Sequence, residues 1–161
     1  MEKCFKELLQ ATVNANLKQA KVGGAPGTLA LVSGYLRLSQ SEKYHQGCEE
    51  LFDDHQPLWP TVYLCIRCGD LQEARNVASR TKKDDLVGFL DELIRSGGVS
   101  DQRERRPCLS VSNEAKLKMD YKSRIRRSND VYKRAVYSYL CRLGEDEFIS
   151  KILDNVDDFL W

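Results

Sequence analysis

The sequence predicts an all-α protein built from stacked antiparallel helix pairs, a segment of an α-solenoid. Three observations carry that expectation. Apolar residues recur at steps of three and four over most of the chain, the spacing that gathers them on one face of a helix. Glycine, proline and small polar residues interrupt these stretches at intervals that leave helices of ordinary length. No segment alternates apolar and polar residues between turn signals for more than a few positions, as a half-buried strand would.

The elements follow in order. Phe5, Leu8, Leu9, Val13, Leu17 and Ala20 line one face of a helix expected over 2–20, which Gly23-Gly24-Ala25-Pro26-Gly27 stops. Thr28 is expected to cap a second helix whose face is Leu29, Val32, Tyr35 and Leu36, lasting to Ser39. The stretch 43–56, with Gly47, two histidines and four acids, reads as a loop holding a turn of helix. Pro57 suits a first helical position, and Leu58, Trp59, Val62, Tyr63 and Ile66 continue to a stop at Gly69. Asp70 then caps 71–80, which buries Leu71, Ala74, Val77 and Ala78, so a one-glycine corner joins an antiparallel hairpin.

A helix over 84–96 carries Leu86, Phe89, Leu90, Leu93 and Ile94 to Gly97-Gly98, and the polar stretch 99–107 is a connector. Ser112 or Asn113 caps a helix to Ser123 with Leu117 and Tyr121 inward. Asn129 or Asp130 caps the next, with Val131, Ala135, Val136, Tyr139 and Leu140, ending at Gly144. A last helix from Glu145 to Trp161 holds Phe148, Ile149, Ile152, Leu153, Val156, Phe159 and Leu160. Eight segments in 161 residues leave about 40 residues per pair, within the range of two-helix repeats. Apolar helices at both ends, the last stopping on Phe159-Leu160-Trp161, predict a piece of a longer stack; residues 1–161 then form a single helical unit.

Composition narrows the function. Apolar residues are 42%, charged residues 30% and the net charge +1, an ordinary globular mixture that excludes a generally basic nucleic-acid coat or an acidic tail. No stretch approaches the ~20 apolar residues of a spanning helix, and the N-terminus reads as a helix face without a cleavage site. The expectation is a chain that is soluble or meets a membrane only through partners. Without an export signal the six cysteines (Cys4, Cys48, Cys65, Cys68, Cys108 and Cys141) are expected to be reduced.

Two constellations invite chemistry. Cys65-Ile66-Arg67-Cys68 has redox spacing, but it falls in the last turn of a helix, where the dipole disfavours a thiolate. His45, Cys48 and His55 could join the cysteine pair around zinc, yet the spacing matches no common finger pattern, and two cysteines three apart beside Trp59, Val62 and Ile66 are satisfied as core. The segment 116–134 sets Lys116, Lys118, Lys122, Arg124, Arg126, Arg127, Lys133 and Arg134 against Asp120 and Asp130, a local charge of +6 with Tyr121 and Tyr132 interleaved. That pattern admits a nucleic-acid module. Its weightier reading is a face balanced by the last helix, whose local charge is −5. No nucleophilic triad, phosphate cradle or nucleophile elbow is present; acid pairs such as Asp53-Asp54 and Asp84-Asp85 suit loops and helix starts. Neither an enzyme, a cofactor nor a small-molecule substrate is expected.

Four blocks carry a resemblance. Gly27-Thr28-Leu29-Ala30-Leu31-Val32 with Tyr35-Leu36 comes first, followed by Pro57-Leu58-Trp59 with Tyr63-Leu64-Cys65-Ile66-Arg67-Cys68-Gly69-Asp70-Leu71. Asp130-Val131-Tyr132-Lys133-Arg134-Ala135-Val136-Tyr137 and the closing Asp157-Asp158-Phe159-Leu160-Trp161 complete the set. In this order they resemble the Nic family of scaffold nucleoporins, the linker nucleoporins of the inner ring of the nuclear pore complex. Pro60 and Val131 depart from the family's usual small residue and helix-starting proline, and the family's coiled-coil segment and the C-terminal half of its solenoid have no counterpart here. The resemblance implies a noncatalytic solenoid piece at the nuclear envelope that supports transport of protein and mRNA. Its partners would be other nucleoporins, docking through short linear motifs. The matching residues are a structural fingerprint, with the docking residues unassigned.

Overall fold

The computed structural model describes residues 2–20, 27–39, 47–53, 56–97 and 109–141. The expected last helix, Trp161, His45, His55, Gly144 and the connector 99–107 lie outside these residues. Helices α1 (Glu2–Ala15), α2 (Leu17–Ala20) and α3 (Thr28–Leu38) precede a two-stranded antiparallel ribbon, β1 (Leu51–Phe52) and β2 (Gln56–Pro57), with Leu51 opposite Pro57 and Phe52 opposite Gln56. Then come α4 (Leu58–Arg67), α5 (Leu71–Arg80), α6 (Asp84–Ser96), α7 (Val111–Ser123), a 3₁₀ turn (Ile125–Arg127) and α8 (Val131–Leu140).

Helix α4 is the axle. Every residue from Leu58 to Ile66 is buried, because α1 and α3, α5, and α8 all pack against it; a helix apolar on all sides needs such enclosure. Trp59, Tyr35, Leu31, Leu58, Leu64, Leu86, Leu90 and Leu117 are the bulkiest fully enclosed side chains. Helix α5 packs on α4 and α6 on α5, as consecutive antiparallel neighbours, while α7 packs on α8, which returns to α4.

Local chemistry sets the corners. At the end of α4 the Gly69 amide donates to the Ile66 carbonyl and the Asp70 amide to that of Cys65, with Gly69 at φ +74°. This is a Schellman closure, whose left-handed residue is best supplied by glycine. Asp70 Oδ1 then accepts from the Glu73 amide at 3.0 Å and caps α5. The α5 to α6 corner repeats the closure: the Lys82 and Lys83 amides donate to Ser79 and Ala78, but here Lys82 occupies the left-handed position at φ 56°.

Several expectations need correction. The helix expected over 2–20 breaks at Asn16, whose side chain takes the Thr12 carbonyl at 3.1 Å while its own amide turns to Val13; a short amide side chain competes with the helix ladder in this way. Thr28 does not cap α3: Gly27 does, without a side-chain bond. Pro57 is the N-cap of α4 rather than its first residue, and its carbonyl accepts from Thr61 Oγ1 at 2.8 Å. Pro60 then falls in the first turn, where no amide partner is required. Of the segment expected to be a loop holding a turn of helix, 43–46 and 54–55 lie outside the described residues, and the rest carries the ribbon up to Gln56, tied to α3 by Ser33 Oγ donating to Gln56 Oε1 at 2.9 Å. Ser110, not Ser112 or Asn113, caps α7, and Glu92 of α6 reinforces that cap by accepting from the Ser110 amide and Asn113 Nδ2. Of the two candidates for α8, Asp130 is the cap.

Candidate functional site

Among the described residues, the fingerprint gathers in two places. The first is a polar tie across three segments. Lys6 Nζ on α1 donates to Thr28 Oγ1 at 3.0 Å, and Thr28 donates to Asp70 Oδ2 at 2.6 Å. Asp70 therefore caps α5 with one oxygen and receives the α3 hydroxyl with the other. Nearby, Arg67 lies 5.0 Å from the centre of the Phe5 ring. Leu29 and Leu71 pack partly buried against the core. Cys65 and Cys68 are buried here as core thiols. Burial pushes Cys65 well above the usual thiol range and Cys68 up to about 11, which suits packing and opposes nucleophilic use.

The second place is the α4–α8 face. Trp59 meets Tyr137 at 5.8 Å and Tyr63 meets Tyr132 at 5.7 Å between ring centres, both tilted, the geometry aromatic pairs favour. Ala135 and Val136 are buried on the same helix and Arg134 is half-buried. Lys133 Nζ stands 5.4 Å over the Trp59 ring and bonds Glu49 Oε2 at 2.8 Å and Glu50 Oε1 at 3.4 Å.

Residues 47–50 form a strap held to the start of α8. Glu49 Oε1 accepts from Ser128 Oγ at 2.6 Å and from the Asn129 amide at 3.1 Å, while the Glu49 amide donates to Asp130 Oδ2 at 3.2 Å. Asp130 Oδ1 takes the Tyr132 and Lys133 amides. Gly47, at φ +77°, begins the strap where an added Cβ would stand 2.8 Å from the Asn129 carbonyl oxygen, so only glycine fits the approach. Lys83, the N-cap of α6, ion-pairs with Glu50. The Lys133 ammonium and then the Ser128 hydroxyl hold the Glu49 carboxyl down to about 2. Burial pushes Asp130 above its ordinary value, against the pull of its amide donors.

Between the strap, the α5–α6 corner and the 3₁₀ turn lies a cleft of about 520 Å³, lined among others by Glu50, Trp59, Lys83, Arg127, Lys133 and Tyr137. Its walls mix cations, carboxylates and two aromatic rings. Trp59, Lys133 and Tyr137 were legible as fingerprint residues, whereas Glu49, Glu50, Lys83 and Ser128 carried no sequence signal linking them. Cys48 is half-buried and donates to the Glu50 carbonyl. Among the described residues, no group of three His, Cys, Asp or Glu side chains is placed to hold a metal. Half of the basic segment's eight cations are ion-paired: Lys116 with Asp85, Lys118 with Glu114, Arg124 with Asp120 and Lys133 with the strap.

A family model described as Nup93/Nic96 matches residues 1–161. The nuclear pore complex protein Nup93 of Xenopus laevis is 34% identical over 163 residues, covering all of this chain and 19% of that protein. Nup93-1 of Drosophila melanogaster is 31% identical over 163 residues with the same coverage. The chain thus spans 19% of the length of these relatives. The crystal structure of Chaetomium thermophilum Nic96 SOL superposes with a TM-score of 0.70 at 21% identity, over 89% of this chain and 20% of that one. The likeness in shape and the whole-length sequence match agree, and the chain belongs to the Nup93/Nic96 family.

Proposed function

We propose that this chain is a noncatalytic segment of a nuclear pore scaffold, acting at the nuclear envelope by binding other nucleoporins. The observation that carries the reading is the match of its whole length to proteins named as nuclear pore complex components. The interior supports it: the aromatic and thiol groups of the fingerprint are spent on packing between helices, as a load-carrying stack requires. The cleft between the strap and the α5–α6 corner is the docking place we assign to short linear motifs, since it offers the partly buried Tyr137 ring with charges of both signs around it. No described helix is long and apolar enough to cross a membrane.

The reading of segment 116–134 as a nucleic-acid module is not favoured, because the whole-length match is to nuclear pore components and Lys116, Lys118, Arg124 and Lys133 are paired with carboxylates of the same chain. The test immobilises the chain and presents tiled peptides from the unstructured segments of other nucleoporins. Saturable binding of at least one peptide, weakened by Lys83→Glu, is expected. Failure of every peptide to bind would refute motif docking, and binding indifferent to Lys83→Glu would refute the cleft as its place.

A further inference from the structure

The 3₁₀ turn that follows α7 presents an unusual run. Arg124, Arg126 and Arg127 are exposed, and Ser128 leaves the turn in an extended conformation, φ −62° and ψ 141°. Serine kinases with carboxylates in their substrate grooves select a serine with cations just before it, on backbone that can lie extended. Ser123 offers a contrast: it lies inside α7 with its hydroxyl on the Asp120 carbonyl.

Ser128 is also the hinge pin of the strap. Its hydroxyl donates to Glu49 Oε1 at 2.6 Å and accepts from the Asp130 amide at 3.1 Å, and the residue is half-buried. We infer that Ser128 is a phosphorylation site for an arginine-directed serine kinase, and that the phosphoryl group releases residues 47–50 from the start of α8. In the transfer, Ser128 Oγ bonds to the γ-phosphorus of ATP as the bond from that phosphorus to the bridging oxygen breaks. ADP leaves, and the hydroxyl proton passes to the kinase's base.

The product loses the O–H that Glu49 accepted. It gains about −1.5 to −2 charge next to two carboxylates, Glu49 and the buried Asp130. Lys133, which holds Glu49 at 2.8 Å and lines the same cleft as Ser128, is placed to exchange that carboxylate for the phosphate. Glu49 then departs, and because Glu49, Glu50 and Lys133 line the cleft, the modification reshapes it. The inference stands on the strap's geometry and does not need the cleft to bind a motif.

The folded chain is incubated with ATP and a kinase of this class, with the heat-unfolded chain as a control for the kinase, and the phosphosites are mapped by mass spectrometry. Label at Ser128 of the folded chain is expected, absent in Ser128→Ala and gained about threefold faster or more in Glu49→Gln, where the strap is looser. Amide exchange at Glu49 and Asn129 should rise about tenfold or more in the phosphorylated chain, and rise less in Ser128→Ala, which loses the bond without gaining charge. Label on the unfolded chain alone, or on neither form, overturns the site. Label without faster exchange, or exchange in Ser128→Ala as fast as in the phosphoprotein, overturns the release.

Discussion

Two corners of the same shape, one built on glycine and one on lysine, predict variants of opposite sign. At Gly69 the backbone sits at φ +74°, and at Lys82 at φ 56°, each closing a helix with the same pair of amide bonds. A side chain in this region costs about 1–2 kcal/mol, and a β-branched one is a genuine outlier there. Gly69→Val should therefore destabilise by about 2 kcal/mol or more, because the closure also positions Asp70 as the cap of α5. Lys82 is exposed, so Lys82→Gly removes the strain without opening a cavity. Glycine returns part of that gain through the freer unfolded chain, leaving about 0.5–1 kcal/mol of stabilisation. For a chain of this size each kcal/mol moves the thermal midpoint by about 2–4 °C. Calorimetry or circular dichroism should show a fall of about 4–8 °C for Gly69→Val and a rise of about 1–4 °C for Lys82→Gly. Shifts of the same sign, or an unchanged midpoint for Gly69→Val, would refute the left-handed helix ends as the reason for the residues found there.

Three further predictions follow from named contacts. Thr28→Val keeps the shape but strands Lys6 Nζ and Asp70 Oδ2, at a cost of about 1–3 kcal/mol; denaturant midpoints equal to those of the parent would show the tie to be idle. In native protein near pH 8, Cys65, Cys68 and Cys141 should resist a thiol reagent while the half-buried Cys48 reacts before them, since burial pushes Cys68 and Cys141 up to about 11; mass spectrometry finding early label on Cys65 or Cys68 contradicts their core role. The Glu49 carboxyl lies below its ordinary 4.5, near 2, when folded, so the strap is at full strength above pH 4.5 and loosens as pH falls toward 2. Glu49 is about a third exposed, so salt should weaken the same contact, and Asn129 amide exchange that ignores both pH and salt would contradict it.

What could be read from the sequence was what a few neighbouring residues decide. The Gly69-Asp70 corner needs only a helix period, a residue tolerant of positive φ and a carboxylate three places before the Glu73 amide, all within one short stretch. The same holds for Asp130 and the start of α8. Contacts between distant segments left no such trace. Thr28 meets Asp70 across 42 positions and Lys133 meets Glu49 across 84, and nothing in the spacing of either residue points to its partner. Thr28 therefore looked like a cap, when Gly27 held that place and the hydroxyl was needed elsewhere. The ribbon of two residues per strand is too short for alternation to show. At Asn16 a side chain competing for the Thr12 carbonyl ended α1 inside an unbroken apolar stripe. Cys65-Ile66-Arg67-Cys68 was legible as core because its position at a helix end argued against the thiolate its spacing suggests, and the structure buries both thiols.

The scaffold role is tested most directly by chemical cross-linking of the protein at its natural length in intact nuclear envelopes, read by mass spectrometry. Lys82 and Lys122 are both exposed and serve as the reactive points. A scaffold segment predicts reproducible links from these lysines to other nucleoporins. Links confined to proteins outside the nuclear pore, or none where the rest of the pore is well cross-linked, would contradict it.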